Sequence, residues 1–169
     1  MVLGGGDRRG ADSEWIEHVP PTDDLAARVR RLEEVDAARG HVAAYAAVLD
    51  VADPDRVAGL FAEDGRLCTR RGQNVGREAI ADFYRQRSAE DASVKRHFIA
   101  NTRLVWLRPG LVGAASHFLF TAQGSDSVLG WGTYRDEVRV DGTRCEFTSK
   151  TIVLEVATTL GRGWAANLG

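Results

Sequence analysis

Two periods of hydrophobic recurrence divide this chain. From Leu25, apolar residues return every three or four positions, through Val29, Leu32 and Val35 and on to Val42, Tyr45, Val48 and Leu49, the spacing of one side of a helix. Thr22 or Asp23 can cap its start, and Gly40 marks a kink or a second start. The stripe closes at Asp50, and a second helix opens almost at once. Asp53 is its N-cap, Pro54 its first residue, and Val57, Leu60 and Phe61 its buried side. Residues 65–70 read as a short strand and RRGQNVGRE as a turn; Ala79, Ile80, Phe83 and Tyr84 give the apolar side of a third helix ending near Ser88 to Asp91. The period then changes to two, with β-branched and aromatic residues alternating. Residues 94–107, 111–122, 128–140 and 144–156 read as long strands joined by turns at Pro109-Gly110, Gly124-Ser125 and Asp141-Gly142.

Helices first and an antiparallel meander afterwards is the order of an α+β domain. Strands this long twist and coil, so the expected fold is a cone-shaped, strongly curved, mainly antiparallel sheet with three helices on its concave side. The open end of the cone is a natural pocket. The other face of the sheet is left uncovered, which predicts a homodimer or a higher homo-oligomer. Residues 1–21, glycine-rich and without periodicity, read as a flexible arm, with Trp15-Ile16 available to dock on a neighbouring surface; 22–157 read as the domain and 158–169 as a tail.

Composition narrows the possible functions. A chain of 169 residues, 44% hydrophobic, can bury a substantial core and still enclose a pocket. The formal net charge of -2, with no basic stripe interleaved with aromatics, argues against nucleic acid as a partner. No apolar leader core or membrane-length apolar run is present, and Cys68 and Cys145 lack metal-like spacing, so the expectation is a cytoplasmic protein with ordinary buried thiols. No His/Cys/Asp/Glu cluster has metal-ligand spacing, no G-x-S-x-G elbow occurs, and no G-x-G-x-x-G follows a strand. The expected chemistry uses no metal and no cofactor.

Candidate chemistry starts at Asp50, a carboxylate that closes an apolar stripe and that capping does not explain. The strand KRHFIANTRL supplies a partner: alternation sets His97, Ile99, Asn101, Arg103 and Val105 on one face and Phe98, Ala100, Thr102, Leu104 and Trp106 on the other. A carboxylate and a histidine are each costly to bury alone but compatible as a charge-assisted pair. Held by Asp50, His97 keeps one tautomer and becomes a better general base, because the negative charge stabilises the imidazolium. Tyr45 could donate to a developing oxyanion. In a straight helix it lies about 140° from Asp50, so the two converge only where the helix ends and bends. Phe98, Phe118 and Phe120 read as core; Trp106 and Trp131 are assigned to the pocket mouth or an oligomer face.

Four segments, HVAAYAAVLDVADPDRVAGLFAEDG, NVGREAIADFY, RHFIANTRL and GWGTYRDEVRV, resemble in this order a SnoaL-like member of the nuclear-transport-factor-2-like superfamily. The resemblance covers about Leu25 to Val156 and is greatest to the branch holding scytalone dehydratase, bile-acid 7α-dehydratase and hexachlorocyclohexane dehydrochlorinase. It implies a cystatin-like α+β barrel and a dehydratase-like carbon-oxygen lyase acting on an apolar polycyclic or polyketide-like molecule. The alternatives within the superfamily are an isomerase or polyketide cyclase using the same site, and a non-catalytic ligand-binding or oxygenase small-subunit-like module. Asp50 and His97 fall on the aspartate and histidine those enzymes pair, and Tyr45 on the tyrosine of the bile-acid enzyme. Where scytalone dehydratase has a second histidine, this chain has Thr121 or Ala122, with His117 displaced. Tyr134 and Asp136 match positions that enzyme turns toward its substrate, the alternative being that Tyr134 packs in the sheet and Asp136 pairs with an arginine. With Asn101 and Phe61 they make up the expected substrate-contacting wall.

Overall fold

The computed structural model describes residues 24–162. Helix α1, Leu25–Val51, is capped by Asp24, whose carboxylate accepts the Ala26 N–H at 3.0 Å, just after the cap read from sequence. It runs unbroken through Gly40. Its buried side is Ala38, His41, Val42, Tyr45 and Ala46, whereas Leu25, Val29 and Leu32 at the start of the apolar stripe are exposed. Ala52 then takes a left-handed conformation at φ 56°, and its N–H returns to the Leu49 carbonyl, ending the helix directly after Asp50 and Val51. Asp53 caps α2, Pro54–Ala58, by accepting the Asp55 and Arg56 N–H groups at 3.1 Å.

Helix α2 is shorter than its apolar spacing suggested, and Leu60 and Phe61 lie outside it. The Leu60 carbonyl is taken by the Phe147 N–H at 2.9 Å and by His41 Nε2–H at 3.0 Å, so the backbone pairs with the sheet instead of prolonging the helix. Phe61 opens β1, Phe61–Thr69, and the stretch read as a turn contains a short edge strand, β2, Gly72–Val75. Its four residues carry no alternation that could have announced it. Helix α3, Arg77–Glu90, precedes four long strands: β3, Val94–Arg108; β4, Leu111–Gln123; β5, Ser127–Asp141; and β6, Arg144–Thr159. A 3-10 turn, Leu160–Arg162, follows. The expected arm, with Trp15-Ile16, lies outside the described residues.

The strand order is β2-β1-β6-β5-β4-β3, and every neighbouring pair is antiparallel except β1 with β6. Among the described residues β2 and β3 are the two edges, so the sheet is curved but open. Register shifts at Ala100/Arg103, Trp106/Arg108, Trp131/Gly132 and Glu137/Val138 mark bulges, the usual device for bending long strands. The bulge at Asn101, φ 52°, also reverses the face of β3. Ile99, Leu104 and Trp106 therefore all pack on the core, although strict alternation placed Ile99 opposite the other two, and Phe98, expected in the core, is exposed. Trp106 donates from Nε1 to Glu34 at 2.6 Å and lies under the Arg31 guanidinium at 4.5 Å, so α1 covers it within the chain rather than leaving it for an oligomer face. The core between helices and sheet includes Val42, Tyr45, Phe61, Leu67, Ile80, Val112, Val138 and Phe147. Among the described residues no helix is long and apolar enough to cross a membrane.

Candidate functional site

The curved sheet and the ends of its helices enclose a cavity of about 720 Å³. The end of α1, the corner before α2, α3, the first residues of β3, and inward positions of β4, β5 and β6 all reach it. Its wall is largely apolar and aromatic, including Leu49, Phe83, Phe118, Phe120, Ile152 and Leu154. Glycine makes room for two of those rings. A Cβ on Gly130 would lie 2.3 Å from the Phe120 ring, and one on Gly132 only 2.0 Å from the Val153 carbonyl and 2.9 Å from the Phe118 ring.

Asp50 and His97, 47 residues apart in sequence, meet at this wall. Asp50 Oδ1 accepts two hydrogen bonds from the same residue, the His97 backbone N–H at 3.0 Å and Nδ1–H at 2.8 Å. A carboxylate oxygen only accepts, so Nδ1 carries the proton and Nε2 keeps its lone pair. The ring stacks on Phe120 with centroids 5.7 Å apart, which fixes its plane. Burial pushes the imidazole pKa down; Asp50 opposes this by hydrogen bond and charge, and the net direction is downward from 6.5. Near neutral pH His97 is therefore an uncharged imidazole with one nitrogen able to take a proton.

Tyr45 borders the cavity from behind, its side chain fully buried. Its hydroxyl lies 2.5 Å from that of Tyr84, a residue that sequence periodicity assigned only to the apolar side of α3. Burial is the first cause that raises both phenols above their usual range, so both stay protonated. One O–H can donate to the other phenol, leaving the second to be offered elsewhere. Tyr134 lines the cavity as well, edge-on to Tyr45 at 5.8 Å and stacked on Phe118 at 4.3 Å.

Three expected wall residues lie elsewhere. Asp136 does not reach the cavity; it is fully buried and gripped at 3.0 and 2.9 Å by Lys150, its cross-strand neighbour, and not by an arginine. Lys150 Nζ sits 4.1, 4.0 and 4.7 Å from the ring centres of Tyr45, Tyr134 and Phe147. Burial pushes the Asp136 carboxyl up and the Lys150 ammonium down, each opposed by its partner. The signal for this pair was a lysine in the same inward column as Ile152 and Leu154. Phe61 is fully buried, packed on Phe147 at 5.3 Å. Asn101 is exposed on the bulge, donating to His117 Nδ1 at 3.3 Å. Among the described residues no group of three or more His, Cys, Asp or Glu is placed to hold a metal ion.

Comparison with known proteins gives one family and a set of solved folds. The model of the SnoaL-like domain family matches residues 30–150. No curated protein matches the chain. Among solved structures, a hexachlorocyclohexane dehydrochlorinase, LinA type 3, from Novosphingobium barchaimii superposes with TM-score 0.71 at 18% identity, over 79% of this chain and 94% of that one. A protein assigned as a scytalone dehydratase from Novosphingobium aromaticivorans gives TM-score 0.69 at 18% identity, over 78% and 90%. An NTF2-like protein with a cystatin-like fold from the same organism gives 0.64 at 22% identity, over 80% and 92%. At these identities the likeness is one of fold.

Proposed function

The chain belongs to the SnoaL-like domain family, and on that premise we propose that it is a cofactor-independent lyase, dehydratase-like, acting by general acid-base catalysis on an apolar polycyclic or polyketide-like molecule. The observation that carries this reading is the Asp50–His97 hydrogen bond of 2.8 Å at the wall of a roomy, aromatic-lined cavity. A structural pair would be expected in packed core; this one adjoins open space. His97 Nε2 takes the proton from a carbon next to a carbonyl, and Asp50 stabilises the imidazolium that forms. The one O–H that the Tyr45–Tyr84 pair leaves free donates to the carbonyl oxygen as it gains charge. The freed electron pair then forms the carbon–carbon double bond as a β-hydroxyl leaves, taking the His97 proton to depart as water. An isomerase or cyclase would use the same first step and differ in where the electron pair ends. Tyr134 is assigned a substrate contact. The protein is taken as a cytoplasmic homodimer. Free thiols at Cys68 and Cys145 fit a reducing compartment. Phe98, Leu119, Trp131 and Val156 form a cross-strand row, with Phe98, Leu119 and Val156 exposed, a suitable face for a second copy.

The test is a panel of polycyclic β-hydroxy ketones incubated in D2O, read by mass spectrometry for deuterium uptake at the carbon next to the carbonyl and for loss of water. The parent protein should catalyse one or both. His97→Ala should lower the rate by about 10² to 10⁴, the usual range for a general base, with its melting curve still cooperative. A folded His97→Ala protein with parental rates would sink the proposal.

A further inference from the structure

Four cationic side chains stand at the cavity mouth, and the proposed chemistry uses none of them. Arg70 and Arg71, at the β1–β2 turn, and Arg87, in the last turn of α3, all line it together with Lys95 at the start of β3. Their acidic partners are unevenly placed. Lys95 is matched by Asp91 at 2.8 Å, but Arg71 and Arg87 share one carboxylate, Glu90. Arg70 is exposed, and its hydrogen bond goes to a neutral acceptor, the Leu154 carbonyl, at 3.5 Å. That distance marks a weak bond, readily given up for a better acceptor. Asp53 caps α2 and Asp50 holds His97, so neither of these lining carboxylates is bonded to Arg70. The exposed C-terminal carbonyls of α3 explain one cation nearby, and Arg87 meets that need. Of the four cations, Arg70 is the one without a carboxylate partner among the described residues.

We propose that this mouth is a subsite for an oxyanion carried by the substrate itself, a carboxylate or sulfonate on the apolar body, with Arg70 as its principal contact and Arg71 and Arg87 as supporting charge. The proposal rests on the reading that the cavity holds an apolar ring system and adds what that molecule carries at its outer end. A planar guanidinium suits such a group because it offers two parallel N–H donors to two oxygens. The polar end then lies at the mouth, in water and among cations, while the rings face Phe118, Phe120 and Leu154.

The test uses two fluorescent probes that share one ring system, 1-anilinonaphthalene-8-sulfonate and its neutral parent N-phenyl-1-naphthylamine, titrated against the full chain at fixed ionic strength. The parent protein should bind the sulfonate about tenfold more tightly than the neutral probe, with an advantage that shrinks as salt is raised. Arg70→Gln should remove roughly fivefold of that advantage and leave the neutral probe unaffected, the loss of one charge-assisted contact at a wet site. Arg66→Gln, an exposed arginine of β1 outside the cavity, should change neither. Equal affinity for the two probes, or an Arg70→Gln protein that still prefers the sulfonate as strongly, overturns the subsite. Displacement of the sulfonate by inorganic phosphate beyond the effect of chloride at equal ionic strength overturns the substrate-borne assignment in favour of a free anion. Failure to bind either probe overturns the subsite together with the apolar reading of the cavity. Parental turnover in His97→Ala would instead overturn the chemistry alone.

Discussion

Replacing Lys150 by Met isolates the buried ion pair that lies beneath the cavity tyrosines. Both partners have side chains with no exposure, and the hydrogen bonds Asp136 makes, at 3.0 and 2.9 Å, go to Lys150 alone. Removing the ammonium leaves a fully buried carboxylate without a donor, a change that costs about 3–5 kcal/mol. Methionine fills most of the vacated volume among Tyr45, Tyr134 and Phe147, so lost packing adds little. For a domain of this size, about 2–4 °C of melting temperature follow each kcal/mol, giving a fall of roughly 6–20 °C. The loss should also depend on pH. Burial already raises the Asp136 pKa above its usual 3.8, and without Lys150 nothing opposes that shift. A group whose folded pKa is raised contributes stability at low pH and loses it as pH rises through the folded value, so Lys150→Met should be hurt more at pH 8 than at pH 5. The double variant Asp136→Leu/Lys150→Met removes both charges and should recover most of the loss, since apolar replacements of buried pairs are often neutral or stabilising. Circular-dichroism melting of the parent and both variants at the two pH values is the assay. A single variant within about 2 °C of the parent, or a double variant as unstable as the single, would refute the assigned role of the pair.

Three further outcomes follow from the same geometry. Burial lowers the pKa of His41 and His97 below the ordinary 6.5, so the stability they contribute is complete above about pH 6.5 and is lost as pH falls through the folded values; melting should drop between pH 7.5 and 5.5, and His41→Gln, which keeps an N–H for Leu60, should lessen the drop. Gly132→Ala drives a Cβ within 2.0 Å of the Val153 carbonyl and should destabilise by at least about 3 kcal/mol, whereas Gly40→Ala, with nothing within 4 Å, should stabilise by about 0.5–1 kcal/mol in urea titrations. Asp53→Ala removes the acceptor of two helix N–H groups and should cost about 1 kcal/mol, measured the same way; no change would show that Pro54 alone sets the corner.

The sequence by itself determined whatever depends on neighbours along the chain. The periods of three to four and of two placed three helices and four long strands, because amphipathic faces are written locally. The corner at Asp53-Pro54 was legible for the same reason, since capping and a fixed proline φ act within one turn. Asp50 and His97 stood out as polar groups in apolar patterns, which gave reason to bring them together, but their 2.8 Å bond exists only because α1 crosses the start of β3. Tertiary structure decided the rest. Phe61 left its helix because the Leu60 carbonyl found partners in Phe147 and His41, far along the chain. Asn101 lost its inward place to a bulge, whose extra residue turns the following side chains to the opposite face and is set by pairing with β4 rather than by local spacing. Asp136 was drawn from the expected wall by Lys150 on the adjacent strand, and Tyr84 on α3 meets Tyr45 on α1 only through the tertiary fold, 39 residues apart. Long-range pairing selects among conformations that local propensity leaves nearly equal in energy, so residues defined by a partner stay invisible until that partner is in place.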